Sequence, residues 1–152
     1  MNISDPNVLA RACADAMWPD DKAAQAIGVT VSDVAPGRAT TTFTVTEAMV
    51  NGHDICHGGY IFMLADTAFA YSCNTYNQRT VAQHCSIDFM APAHSGETLI
   101  ARAEERSRGG RSGIYDISVT TSDGRKIAEF RGLSRTIKGT LVNTASDEGA
   151  PQ

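Results

Sequence analysis

The run HGGYIFMLADTAFAYSCN, His57 to Asn74, decides the fold. From Tyr60 to Asn74 it is apolar on nearly every side of a helical wheel, interrupted by Asp66 and a few small hydroxyls. A helix apolar all round is a buried one, so this segment predicts a central helix against which the rest of the chain packs. Upstream, residues 29–34 and 38–46 read as two strands joined at Pro36-Gly37, the second alternating Ala39, Thr41, Phe43 and Val45 with Thr40, Thr42 and Thr44. Downstream, residues 80–90, 98–107, 114–121 and 126–137 are strand-like, punctuated by Pro92, Gly96, Gly109-Gly110 and Asp123-Gly124. Long antiparallel strands with one wholly apolar helix predict an α+β fold in which a curved sheet wraps the helix.

At the start of the chain, Asp5-Pro6 opens a helix in which Leu9, Ala12, Cys13, Ala16 and Met17 recur at helical spacing until Pro19, and residues 20–27 add a short helix that Gly28 ends. Residues 139–152 are polar, small and Pro-tipped, and read as a flexible C-terminal tail. The expected organisation is an N-terminal helical segment (1–27), one domain (28–138) and the tail (139–152). A chain of 152 residues buries roughly 68% of its unfolded surface, enough for one core.

Thirteen Lys plus Arg against seventeen Asp plus Glu give a net charge of −4, which argues against a nucleic-acid or anionic-membrane partner. Asp5, Asp15, Asp20 and Asp21 break up the first thirty residues, so no signal peptide is expected, and no stretch approaches the ~20 apolar residues of a membrane span. The four cysteines, Cys13, Cys56, Cys73 and Cys85, form no CxxC pair and read as reduced thiols of a cytoplasmic protein.

Asp66 is the most informative residue, because a carboxylate in a buried helix is costly unless it is neutralised, paired or hydrogen-bonded. Spacing of i, i+4, i+7 places Phe62, Asp66, Phe69 and Cys73 on one stripe, whose apolar character should raise the carboxyl pKa. The bland alternative is a buried Asp bonded to backbone or to a hydroxyl. His57-Gly58-Gly59 lies at the helix start, where backbone N–H groups lack intrahelical partners and the dipole is positive. Such a place can hold a carbonyl oxygen while it gains negative charge, although Gly-Gly can equally be a plain entry turn. Gly58 and Asp66 are eight residues apart, about 12 Å along the axis, and His57 is about 900° of rotation from Asp66, on the opposite face. If these groups act together, helices of two subunits must lie antiparallel so that Gly58 of one meets Asp66 of the other, which a two-fold dimer achieves.

The pattern Asn51-x5-His57-Gly58-Gly59-x6-Asp66, with TAFAYSCN after it and Asp88-Phe89-Met90-Ala91-Pro92 on the next strand, resembles the hotdog-fold acyl-CoA thioesterases, most closely the type found in bacterial phenylacetate degradation. The resemblance covers about residues 25 to 138. It implies the hotdog fold, sheets joined edge to edge in a homodimer, and pairing of dimers into a homotetramer. It also implies a (hydroxy)phenylacetyl-CoA-type substrate hydrolysed to free acid and CoA, with no cofactor. Carried over by position, the motif glycine that polarises the thioester carbonyl falls on Gly58, the acidic nucleophile or general base on Asp66, and the motif Asn and His on Asn51 and His57. Asn51 would orient water or the carboxylate, and His57 would hold the loop or assist the thioester oxygen. Gly59 lets the substrate approach the backbone.

The CoA phosphates need cations. Arg106, Arg108 and Arg111 surround the Gly109-Gly110 turn, and Arg131, Arg135 and Lys138 follow on the last strand; Arg108 and Arg111 are the first choice. Phe62 and Phe69, with Tyr71, offer an aromatic wall for the acyl group, or plain core. Four other readings rank lower: a metal site, a Cys56-His57 nucleophilic pair, a hydratase or dehydratase, and a non-catalytic binding protein. His53-x-x-Cys56-His57 lacks ligands enough for a metal site, and Cys56 and His57 point apart as neighbours in a loop. A hotdog acyl-thioester hydratase or dehydratase would pair a His with an acid but lacks its motifs here. A non-catalytic acyl-CoA-binding protein would have no use for Asp66.

Overall fold

The computed structural model describes residues 3–144. Its first helix, α1 (Pro6–Met17), is capped by Asp5, whose side chain accepts from the Asn7 N–H. A single 3-10 turn (Trp18–Asp20) leads to α2 (Lys22–Ala26), which Asp21 caps in the same way. Gly28, at φ +74°, then takes the left-handed backbone that releases the chain into the sheet. The strands are β1 (Thr30–Ala35), β2 (Arg38–Thr44), β3 (Thr80–Phe89), β4 (Thr98–Gly109), β5 (Ser112–Thr121) and β6 (Lys126–Thr136), and α3 (Gly58–Cys73) lies between β2 and β3 in the chain.

The strands pair antiparallel in the order β1-β2-β4-β5-β6-β3. Every strand touches α3, so one sheet covers one helix: this is the hotdog fold. Alternation does the work expected of it. Along β5 every second residue is buried, with Tyr115, Ile117 and Val119 inside, and β4 contributes Leu99, Ala101 and Ala103 to the same face. The opposing surface of α3 is Leu64, Ala65 and Ala68, all fully buried. Small residues on both sides let the helix sit close to the sheet. At Gly132 the approach is closest: a Cβ there would fall 2.7 Å from the Phe69 ring.

Three details differ from the sequence reading. The helix begins at Gly58 rather than Tyr60, so the Gly-Gly pair is its first turn and not a loop before it. Strands β4 and β5 extend to Gly109 and Ser112, leaving Gly110 and Arg111 as the turn, with Gly110 at φ +58°. The expected flexible tail starts with held residues: Leu141 and Val142 N–H donate to Asn77 Oδ1, Asn77 Nδ2 donates back to the Val142 carbonyl, and Arg79 N–H donates to the Gly139 carbonyl. Residues 145–152 of that tail lie outside the described residues.

Strand β3 is the exception to the alternation. It sits at the sheet edge beside β6, with only Thr80, Cys85 and Ile87 half-buried and the rest exposed. Exposed large hydrophobic residues gather on and around it: Val81, Phe89, Met90 and, just after β6, Ile137. Asn74 ties the strand to the helix end, since its Nδ2 donates to the Thr80 carbonyl and its Oδ1 accepts from the Thr80 N–H. Among the described residues no helix is long and apolar enough to cross a membrane.

Candidate active site

Residues 51–55 form a tight loop organised by Asn51. Its Oδ1 accepts from His53 N–H at 2.9 Å, its own N–H donates to the Ile55 carbonyl, and its carbonyl accepts from Asp54 N–H. The side-chain amide therefore carries the loop with its oxygen and keeps its NH2 for another partner. Chain and loop then meet α3 through His57, the N-cap, whose Nδ1 accepts from Gly59 N–H at 2.9 Å. An imidazole accepting through Nδ1 carries its proton on Nε2. His57 is thus a capping residue in this structure, and Gly59 N–H is committed to it.

That leaves Gly58. Among the described residues its N–H donates to nothing, and it stands at the positive end of a sixteen-residue helix. The ring of Phe89 lies over it; a Cβ on Gly58 would come within 2.9 Å of the ring tip. Gly58, Phe89 and Asn51 line a mainly apolar groove of about 480 Å³, with Cys56, Ile61, Met90 and Pro92 completing its walls. A thioester carbonyl entering this groove meets one unclaimed backbone donor.

Asp66 lies two turns further along α3 and does not line the groove. It is half-buried, and burial holds its carboxyl above the usual carboxylate range. Among the described residues no Lys, Arg or His pairs with it; its hydrogen-bonding neighbour is the Cys85 thiol on β3, Sγ to Oδ1 4.0 Å. Burial also pushes the Cys73 thiol, two turns along the same stripe, up to about 12, with the Asp66 charge adding to the effect. The neighbouring hydroxyl of Thr67 back-bonds to the Met63 carbonyl at 2.7 Å within its own helix.

The aromatic residues divide. Phe62 is half-buried and meets Phe130 edge-on at 5.2 Å, near the stripe of Asp66. Phe69, offered as an acyl contact or plain core, is 1% exposed in this chain, with Tyr115 5.6 Å and Phe130 6.1 Å away, because Gly132 opens the space its ring fills. Tyr71 faces the other way, packed with Ala10 and Ala14 of α1, its hydroxyl donating to Asp21 Oδ2 at 3.1 Å.

The basic residues also separate. Arg106 and Arg131 are both taken by Asp116, at 2.9 and 2.7 Å. Arg108 stacks over the Tyr76 ring, 3.4 Å from its centroid, and pairs with Glu105, which also accepts from the hydroxyls of Tyr76 and Tyr115. It borders a cavity of about 270 Å³ together with Thr80, Gly110, Ser112 and Thr136. Arg111 is exposed in the turn next to it. His53, Cys56 and His57 do not converge: among the described residues no three His, Cys, Asp or Glu could hold a metal ion.

Sequence reasoning missed Phe89 and Cys85 as neighbours of the site. Phe89 stood within the quoted DFMAP motif, and a contact across the fold carries no local signal; Cys85 was read as a reduced thiol, with no link to Asp66.

The thioesterase superfamily profile matches residues 53–128 of the chain. The acyl-coenzyme A thioesterase PaaI of Escherichia coli K12 is 45% identical over 132 residues, 87% of this chain and 94% of that protein. A putative esterase of Archaeoglobus fulgidus is 33% identical over 118 residues, 78% of this chain and 77% of that protein. The solved structure of the PaaI protein from the Escherichia coli phenylacetic acid degradation operon superposes with a TM-score of 0.87 at 44% identity, covering 88% of this chain and 97% of that one.

Proposed function

The chain belongs to the thioesterase superfamily and is an acyl-CoA thioesterase; within that activity we propose that it hydrolyses (hydroxy)phenylacetyl-CoA-type thioesters at sites shared between two subunits. Asp66 acts as nucleophile on the thioester carbonyl carbon or as general base that takes a proton from the attacking water. The Gly58 N–H of the neighbouring subunit donates to the carbonyl oxygen as it becomes an oxyanion, and the C–S bond then breaks. As general base Asp66 returns its proton to the leaving CoA thiolate. As nucleophile it leaves a mixed anhydride that water hydrolyses to the free acid, one water proton going to the thiolate. The single observation that carries this reading is the Gly58 N–H, unclaimed among the described residues, in an apolar groove, with a half-buried carboxylate on the same helix that no cation among those residues pairs with.

The aromatic substrate class is supported by the apolar groove under Phe89, by half-buried Phe62, and by the operon named for the Escherichia coli relative. Asn51 offers its NH2 to the water or the carbonyl, Gly59 keeps the approach open, and His57 holds the helix start by capping it. Arg108, with Arg111 beside it, offers charge to the CoA phosphates. The domain limits proposed are 28–138 for the hotdog unit, with the helices before it packed on β1 and Tyr71. A cytoplasmic homodimer, or a homotetramer of two dimers, fits the exposed edge strand β3 with its apolar residues.

Free-thiol release from a panel of phenylacetyl-, hydroxyphenylacetyl- and straight-chain acyl-CoAs tests the reading, with wild type beside Asp66→Ala. Turnover by wild type, fastest on the aromatic esters, and its loss in Asp66→Ala with CoA binding retained are expected. An active Asp66→Ala enzyme would remove Asp66 from the mechanism.

A further inference from the structure

Across the gap between α3 and the edge strand, the Asp66 carboxyl accepts from the Cys85 thiol, Sγ to Oδ1 4.0 Å. The orientation of Cys85 is set by an irregularity in β3: the register against β6 shifts between Ala82 and His84, an extra residue on β3 at Gln83. After this bulge Cys85 and Ile87 turn half-buried toward the helix while His84 and Ser86 face solvent. Without the extra residue the opposite set of side chains would face Asp66.

We infer that Cys85 is a positioning residue for Asp66, its S–H donating to Oδ1 so that Oδ2 is held toward the reacting carbonyl or water. This rests on the catalytic role proposed for Asp66. A thiol suits the task because it is a weak donor: it orients a carboxylate without quenching its basicity as a cation or a strong donor would. It must stay protonated, since a thiolate would itself attack a thioester. Burial and the Asp66 charge both raise the Cys85 pKa, which favours the protonated form. Of the groups facing Asp66, α3 supplies the buried Cys73 thiol and β3 supplies Cys85. On β6 the residue paired with Cys85 is Gly132, which has no side chain, and next across on β5 is Tyr115, whose hydroxyl is engaged by Glu105.

Two variants separate donation from packing. Cys85→Val fills the space of the thiol, with one heavy atom more, and has no donor, and Cys85→Ser keeps a donor in a more polar side chain. The Asp66 carboxyl titration, followed by 13C NMR of Asp-labelled protein, is expected to move up by about half a pH unit in Cys85→Val and not to rise in Cys85→Ser. The acid limb of kcat/KM for a hydrolysed acyl-CoA should follow the NMR titration, with kcat reduced about five-fold in Cys85→Val at unchanged KM and recovered in Cys85→Ser. If Val is as good as wild type and Ser is the damaged variant, Cys85 only fills space and the inference is overturned. An Asp66 titration identical in all three proteins overturns it equally. A titration that moves while the acid limb stays still would preserve the hydrogen bond and overturn the catalytic role of Asp66.

Discussion

Asp66 carries a thermodynamic signature that belongs to the residue alone. In the unfolded chain it titrates as an ordinary carboxyl, while in the folded chain burial holds its pKa higher. The native state therefore binds the proton more tightly. Asp66 contributes stability below its ordinary pKa, and that contribution is lost as pH rises through the raised folded value. Asp66→Asn does not titrate, so its thermal midpoint is expected to gain on wild type as pH rises from the ordinary carboxyl range through the raised folded value, and then run parallel. Parallel curves over the whole range would show that the carboxylate is not held in a desolvated place. His57 makes a second prediction at this scale. Because its Nδ1 caps Gly59 N–H, His57→Ala should lower unfolding free energy by about 1 kcal/mol, and His57→Asp, another good N-cap, should restore most of it. Equal losses in denaturant melts of both variants would deny the cap its role.

Among elements, the contact between α3 and the sheet depends on one missing side chain. Gly132 lies within β6, opposite Cys85 of β3 and Tyr115 of β5, and the Phe69 ring occupies the space where its Cβ would stand. Gly132→Ala forces the helix or the ring to move, with an expected cost of about 1–3 kcal/mol. Phe69→Leu on that background should recover part of the loss, and chemical denaturation of the single and double variants measures the coupling. Strictly additive losses would mean that the ring and the strand do not compete. The helix periodicity was legible because it is local: apolar residues on every face mark α3 wherever it packs. Its first turn was not, since glycines are ambiguous between loop and helix until His57 is seen to cap them.

For the whole molecule, the geometry of one chain leaves Gly58 in the groove and Asp66 outside it. Eight residues of helix separate them by about 12 Å, so a shared site needs a second chain. Asp66→Ala and Gly58→Pro chains, each inactive alone, should regain about a quarter of wild-type activity when unfolded and refolded together, since half the dimers are mixed and each holds one intact site. Proline is tolerated in a first helical turn, and the side chain it would crowd, Phe89, is 54% exposed with room on its solvent side, so Gly58→Pro should fold. Mixed dimers shown by mass spectrometry to form and to stay inactive would end the shared-site model.

The chain order of helices and strands, the wrapping of one apolar helix, and the anomaly of Asp66 behind a Gly-Gly helix start were all determined by the sequence itself. Each is a local matter, set by periodicity, by turn residues, or by a charge among apolar neighbours. The tertiary structure decided what depends on distant partners. It placed β3 at the edge beside β6, turned Cys85 toward Asp66 through a bulge, and laid Phe89 over Gly58. It sent Phe69 into the core and Tyr71 toward α1, gave Arg106 and Arg131 to Asp116, and left Arg108 on Tyr76 beside a cavity. Which side chain faces which across a sheet follows from strand register, and a slip of one residue inverts every face. Register is chosen by the summed packing of the whole core, and no local stretch of residues contains that sum.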